Sequence, residues 1–328
     1  MLVLSRSDIK QLVPMADAIE LMKVAFAELS AGRTISPLRT VIPVPEHNGA
    51  ALFMPASVPA ADALGLKIVS TYRDNPARGL PAIHAIVCLV DTATGRPSAI
   101  MDGTYMTALR TGAVSGAATD LLARPDSRTL VVIGTAAQAV TQAAAVCAVR
   151  PIERVIVVGR SEAGIERLRE GIARDWPDLL GRIEGTLDPA AVAEADVICA
   201  ATNSRTPVFD DALVRPGTHV NAVGAYTHEM QEVPAGLVQR ATVVVDAVDA
   251  VLAEGGDVTI PLAQGLFGRD HVSRELGMVA SGTAPGRVSD DEVTFFKSVG
   301  NAVQDVVVAK RAVERAADLG LGTEIDLG

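Results

Sequence analysis

The stretch Thr129 to Ala139, TLVVIGTAAQA, decides the fold. Leu130-Val131-Val132-Ile133 is an apolar, largely β-branched run suited to a strand buried on both faces. Gly134 follows, and Ala137 to Val149 reads as an alanine-rich helix. Strand, glycine turn and helix open a dinucleotide-binding βαβ unit, in which the helix N-terminus offers N–H groups and partial positive charge to a pyrophosphate. Gly134, Ala136 and Ala139 fill the three G-x-G-x-x-G/A places, so a methyl group stands where the second glycine is usual. An ordinary strand-to-helix turn of an α/β protein has the same outline, and the motif alone leaves both readings open. No charge lies between Arg128 and Arg150, a length that could span a bilayer. Gly134, Thr135, Gln138, Thr141 and Gln142 interrupt that run, and the membrane reading is rejected.

Strands and helices continue to alternate on the C-terminal side. Val155–Val158 reads as a second strand, Ser161 to Arg174 as a helix, and Ala195–Ala201, Thr218–Val223 and Ala241–Asp246 as further strands. This alternation predicts a Rossmann-like, doubly wound parallel sheet in an α/β protein. Ligands of such sheets sit at the carboxyl ends of the strands, where Gly134, Arg160, Thr202 and Gly224 fall. An NAD enzyme usually ends its second strand with Asp or Glu to bind the ribose hydroxyls. Here the strand ends VVGRS, with Arg160-Ser161 in that place. Arginine pairs with a 2′-phosphate, so NADPH is expected over NADH, against the plainer reading of a charged residue at a helix start.

Upstream, Ser7-Asp8 can cap a short helix and Pro14 can open a second, in which Ala18, Leu21, Met22, Ala25, Phe26 and Leu29 recur at helical spacing until Gly32. Residues 38 to 103 change texture. LRTVIPVP, AALFMPASV, LGLKIVSTYR and AIHAIVCLVD read as strands, with a turn at Thr92–Gly95 and SAIMDG returning from it. This is a mostly antiparallel region beside helices. Residues 103 to 123 predict a helix with small residues over much of its surface. Asp290 to Ala317, with Phe295, Phe296, Val299, Val303, Val306 and Val307 at roughly helical spacing, reads as a closing helix.

A chain of 328 residues is long enough for two cores. The net charge of −10, without a local basic patch, argues against a nucleic-acid partner. Cys88, Cys147 and Cys199 lie in apolar runs and no pair has metal-ligand spacing, so buried thiols and no metal are expected. MLVLSRSDIK is too short and too soon charged for a signal peptide, which points to a cytoplasmic protein.

From end to end the chain resembles the ornithine cyclodeaminase/mu-crystallin family. The resemblance is carried by Gly65-Leu66-Lys67, TALRTGAVSGAAT around Arg110, GTAAQA, GAYTHEMQE, Glu254-Gly255-Gly256-Asp257, ELGMVASG, and Phe296-Lys297-Ser298-Val299-Gly300-Asn301-Ala302. It implies a discontinuous α+β substrate-binding and dimerisation domain, residues 1–115 plus 303–328. The nucleotide domain, 116–302, is inserted between them, and a homodimer joins the β regions. Among the family's activities, reduction of cyclic imino acids is the expected one. Ornithine or lysine cyclodeamination and alanine dehydrogenation are the alternatives within enzymes, and nucleotide and small-ligand binding of the mu-crystallin kind is the alternative outside them.

The resemblance also implies the site. Arg39, Lys67 and Arg110 match the family's cluster for the substrate carboxylate, which arginine can hold in a planar fork. Lys67 lies among Leu66, Ile68 and Val69, so desolvation would lower its pKa and make it a proton donor. Without the resemblance these are surface arginines and a strand lysine facing water. The cofactor is expected on Gly134, Thr135, Ala136, Gln138, Ala139, Arg160, Ser161, Thr202, Gly224, Lys297 and Ser298. The departure is Tyr226, which stands where the cyclodeaminases carry an aspartate. Tyrosine is a poor base at neutral pH but donates a hydrogen bond, which suits a reductase whose imine arrives already formed. His84 and His228 are further acid candidates, although a lone histidine is more often structural.

Overall fold

A computed structural model describes residues 1–326. The chain divides into two compact units, Met1–Arg110 with Asn301–Gly328, and Thr111–Gly300. Leu327 and Gly328, the end of the expected 303–328 segment, lie outside the described residues. In chain order the elements begin β1 (Leu2–Leu4), α1 (Arg6–Leu12), α2 (Met15–Ser30), β2 (Thr40–Val44), β3 (Gly49–Val58), β4 (Ala63–Tyr72), β5 (Ile83–Val90), β6 (Pro97–Asp102) and α3 (Gly103–Leu122). They continue with β7 (Thr129–Ile133), α4 (Ala137–Val149), β8 (Arg154–Val158), α5 (Glu162–Asp175), β9 (Ile183–Thr186), β10 (Val197–Ala200), β11 (His219–Ala222) and α6 (Ala235–Arg240). The last are β12 (Thr242–Val245), α7 (Val248–Glu254), α8 (Gly256–Ala263), α9 (Leu276–Ala280), β13 (Thr294–Lys297), α10 (Ala302–Leu319) and β14 (Thr323–Glu324). The division at 110/111 falls inside α3, where no turn or proline marks it; the resemblance implied a bound at 115/116 in the same helix.

The first unit is a seven-stranded sheet, β14-β1-β6-β5-β4-β3-β2. It is antiparallel except where β1 runs parallel to β6. Side chains alternate across a strand, and here the two faces differ. Met54, Lys67, Val87 and Met101 stand opposite one another on adjacent strands and are all buried. Gly65, on the same face as Lys67, has its missing Cβ position within 3.2 Å of Val306, so α10 lies close over β4. The other face carries Phe53, Ile68 and Ile86 in one row and Pro55, Leu66, Cys88 and Ile100 in the next, half-buried or exposed. The first helix is capped by Ser5 in a capping box with Asp8, not by Ser7-Asp8, because an extended residue must precede the first helical turn.

The second unit is a seven-stranded, all-parallel sheet in the order β12-β13-β11-β10-β7-β8-β9. The order reverses between β7 and β10, the place where open α/β sheets bind ligands. Leu130 and Val132 face a core with Ala139, Ala143 and Val146 of α4 and Leu168 and Ile172 of α5. Val131 and Ile133 face the opposite core, with Leu237, Val238, Val251 and Val258. Each fully buried aliphatic side chain stabilises the fold by about 1.5–3 kcal/mol, so burial on both faces selects the β-branched run. The small surface of α3 has a packing reason: a Cβ at Gly112 would come within 2.6 Å of the Thr141 carbonyl oxygen of α4.

The closing segment departs from the sequence reading. Asp290 to Ala317 is not one helix: Thr294–Lys297 forms β13, in the sheet between β11 and β12, and α10 begins only at Ala302. A short apolar run satisfies helical and strand periods alike, and here two parallel neighbours decide for the strand. Gly300, at φ 82°, breaks the chain direction, and Asn301 then caps α10. Strands β1, β9 and β14 have no counterpart in the sequence reading.

Candidate functional site

In the strand-rich unit three expected residues meet, together with two that sequence reasoning passed over, Asp305 and Gln304. Lys67 is 1 % exposed and its Nζ lies 2.8 Å from Asp305 Oδ2. Arg110, 5 % exposed, directs Nε to Asp305 Oδ1 at 3.2 Å and donates from Nη1 to Gln304 Oε1 at 2.7 Å. Arg39 is half-buried before β2, close enough for its charge to act on Lys67. Asp305 is fully buried in the first turn of α10, where a helix N-terminus favours negative charge. Gln304 Oε1 also accepts from the Asn301 backbone N–H at 2.9 Å, so the bond that closes the helix cap also orients Arg110. The sequence signal for this pair was Gln304-Asp305 among valines: a charge on a buried face needs a partner.

Burial, chiefly, and the positive charges of Arg110 and Arg39 push Lys67 down from the usual lysine range to about 7, against the opposing charge and hydrogen bond of Asp305. An amine poised there can give up a proton and regain it near neutral pH.

In the second unit the expected turn is built as a cradle. Gly134 has φ 118°, outside the range of L side chains, and a Cβ there would lie 2.5 Å from the Ala201 carbonyl oxygen. Ala136 caps α4 in extended backbone with no side-chain hydrogen bond to the helix, and it is exposed. That backbone needs no glycine. Gln138 Oε1 is buried without a hydrogen-bond partner beside this turn, and Thr135 approaches Gly164, where a Cβ would meet its hydroxyl at 2.8 Å. Ala139 is buried against the sheet. Arg160 and Ser161 are exposed at the end of β8, and Ser161 Oγ caps α5 by accepting from the Gly164 N–H at 3.2 Å. An uncapped helix N-terminus and a glycine-only turn fit a dinucleotide pyrophosphate at Gly134, whose oxygens accept from backbone N–H groups.

Thr202 and Gly224 follow β10 and β11, and a buried carboxylate ties them together. Glu232 accepts from the Thr202 backbone N–H at 2.7 Å and the Gly224 N–H at 2.6 Å. Burial first, and then the nearby Asp257, raise Glu232 above the usual carboxylate range. Lys297 and Ser298, expected at the cofactor, are buried in internal contacts. Lys297 Nζ pairs with Asp257 at 2.8 Å, and Ser298 Oγ donates to Asp246 at 2.7 Å. Asp246 also accepts the Val299 and Gly300 N–H groups, which fixes the turn after β13. Their side chains therefore brace the loops, because an ammonium and a hydroxyl under a sheet edge must find protein partners. Tyr226, in the loop after β11, is 38 % exposed, and His228 in the same loop is exposed. His84 is exposed on the open face of the first sheet. Cys199 is buried and its thiol pushed up to about 12, while Cys88 and Cys147 are half-buried; all three are free thiols. Among the described residues no helix is long and apolar enough to cross a membrane.

The profile of the ornithine cyclodeaminase/mu-crystallin family matches residues 1–320. A Δ1-pyrroline-2-carboxylate reductase of Bacillus cereus is 43 % identical over 327 residues, 99 % of this chain and 100 % of that protein. The Thermococcus litoralis Δ1-pyrroline-2-carboxylate reductase, solved with NADH and L-proline, superposes with a TM-score of 0.94 at 40 % identity, covering 99 % of this chain and 100 % of that one. An archaeal alanine dehydrogenase dimer with bound NAD gives a TM-score of 0.90 at 32 % identity, covering 100 % of this chain and 99 % of that one.

Proposed function

The chain belongs to the ornithine cyclodeaminase/mu-crystallin family, and from that premise we propose that it is a nicotinamide-dependent reductase of cyclic imino acids. Its substrates are Δ1-pyrroline-2-carboxylate or Δ1-piperideine-2-carboxylate, and its products L-proline or L-pipecolate. The observation that carries this reading is Lys67, buried beside Arg110 and Arg39 and poised at about 7. The substrate carboxylate pairs with Arg110 and Arg39. Lys67 gives its proton to the imine nitrogen and is reprotonated from water. A nicotinamide cofactor held on the Gly134 turn would supply the hydride that, with this proton, converts C=N to a secondary amine. Tyr226 donates a hydrogen bond and does not act as a base. Oxidation of NADPH by the purified protein with a panel of cyclic imino acids tests this. Turnover of ornithine without added reductant would instead indicate a cyclodeaminase. Tight nucleotide binding without turnover of any imino or keto acid would indicate a binding protein.

Within this reading the strand-rich unit binds substrate and the parallel-sheet unit binds cofactor, on Gly134, Thr135, Ala136, Gln138 and Ala139. Arg160 supports NADPH over NADH, since it is exposed where a ribose-binding carboxylate would stand. Arg160→Ala is expected to raise the KM for NADPH about tenfold or more and leave NADH nearly unchanged, because a charge-assisted phosphate contact contributes about 1.5–3 kcal/mol. Equal use of both cofactors by the unmutated protein would sink the preference.

The same reading includes a homodimer. The open face of the first sheet presents Phe53, Ile68, Ile86, Leu66 and Ile100 in adjoining rows, and such a face is normally covered. Light scattering at micromolar concentration should give twice the chain mass; a monomer there refutes it.

A further inference from the structure

We propose that Asp305 is the positioning residue of this site: its two carboxylate oxygens tie the Lys67 ammonium to the Arg110 guanidinium, so that proton donor and carboxylate clamp are loaded and aimed together. The inference rests on the reading of Lys67 as the donor.

The geometry carries it. One buried carboxylate lies 2.8 Å from Lys67 Nζ through Oδ2 and 3.2 Å from Arg110 Nε through Oδ1. The strands beside β4 present Met54 and Val87 to this face, neither of which titrates. The charged groups acting on Lys67 are therefore Arg110 from α3, Arg39 before β2 and Asp305 from α10. Two of the three repel a proton on Lys67, and burial opposes it as well. Only Asp305 holds it there. With Lys67 protonated, the cluster of Arg39, Arg110, Lys67 and Asp305 carries two positive charges: the substrate carboxylate offsets one, and the proton passed to the imine removes the other. Without Asp305 the cluster would bind that carboxylate with Lys67 already empty of its proton.

Asp305→Asn keeps the shape and removes the charge. An opposite charge at this range moves a pKa by about 1–3 units. The alkaline limb of imine reduction should therefore shift to lower pH by about that amount, with the dissociation constant for NADPH unchanged. The second readout needs no cofactor. The chain has five lysines, Lys10, Lys23, Lys67, Lys297 and Lys310, so lysine labelled with ¹³C at Cε should give five resonances, and Lys67→Met identifies the one in question. Its titration midpoint should fall in Asp305→Asn. A carboxylate that only packs α10 against the sheet would lower activity at every pH without moving the limb or the midpoint, and that result overturns the proposal. Should Asp305→Asn fail to bind nucleotide or show native circular dichroism, Asp305→Glu serves. It displaces the charge by one methylene, and a limb that coincides with that of the unmutated protein overturns the proposal. Absence of turnover by the unmutated protein removes the functional reading and this inference with it, whereas turnover with an unmoved limb removes Asp305 alone.

Discussion

Lys67→Met is expected to lower kcat for cyclic imino acids by about 10²- to 10⁴-fold, the range supplied by a positioned general acid. Methionine has nearly the length of lysine and suits a face already lined by Met54 and Val87, so the fold should persist. Asp305 keeps Arg110 as its partner. The pH profile gives the sign. With Lys67 at about 7, the protonated donor is present below that pH and lost above it, so reduction should decline as pH rises through 7. The reverse reaction, amine to imine, needs the neutral amine and should rise over the same interval. In Lys67→Met both limbs should vanish. A limb that survives the substitution belongs to another group, such as the imine itself, and a kcat within tenfold of the unmutated value removes Lys67 from the chemistry.

Arg110→Lys should lower kcat/KM by about a hundredfold or more while the NADPH dissociation constant stays within a few-fold. The guanidinium spends Nε on Asp305 and Nη1 on Gln304, and its planar fork still presents Nη2. A lysine has one nitrogen for all of these tasks. The substrate carboxylate would then sit out of place, and small displacements of a reacting group can lower rates by about a hundredfold. The pyrophosphate is assigned to the Gly134 turn, so cofactor affinity should hold. Steady-state kinetics and a fluorescence titration of NADPH separate the two effects. Normal turnover would take Arg110 out of the site. A matching loss of cofactor affinity would mean that Arg110 serves the nucleotide pocket or the fold.

What the sequence by itself determined is local. Leu130 to Ile133 reads as a strand buried on two faces, Gly134 as a turn and Ala137 to Val149 as a helix, and the structure has the strand at Thr129–Ile133, the turn at Gly134 and the helix at Ala137–Val149. Each depends on backbone preference and a periodicity that spans a few residues. The antiparallel strands of residues 38 to 103 were legible for the same reason, but the burial of Lys67 was not: its chain neighbours Leu66 and Ile68 point to the opposite face of β4, and Met54, Val87 and α10 enclose its side chain instead. The tertiary structure alone decided the rest. Thr294 to Lys297 is a strand because β11 and β12 supply its hydrogen bonds, and nothing within its own four residues separates strand from helix. Asp305 reaches Arg110 across 195 residues of chain, and the side chains of Lys297 and Ser298 meet Asp257 and Asp246. Sequence patterns show which face of an element is buried. They do not show which charge it meets there, because the partner of a buried charge is chosen by packing between elements remote in the chain.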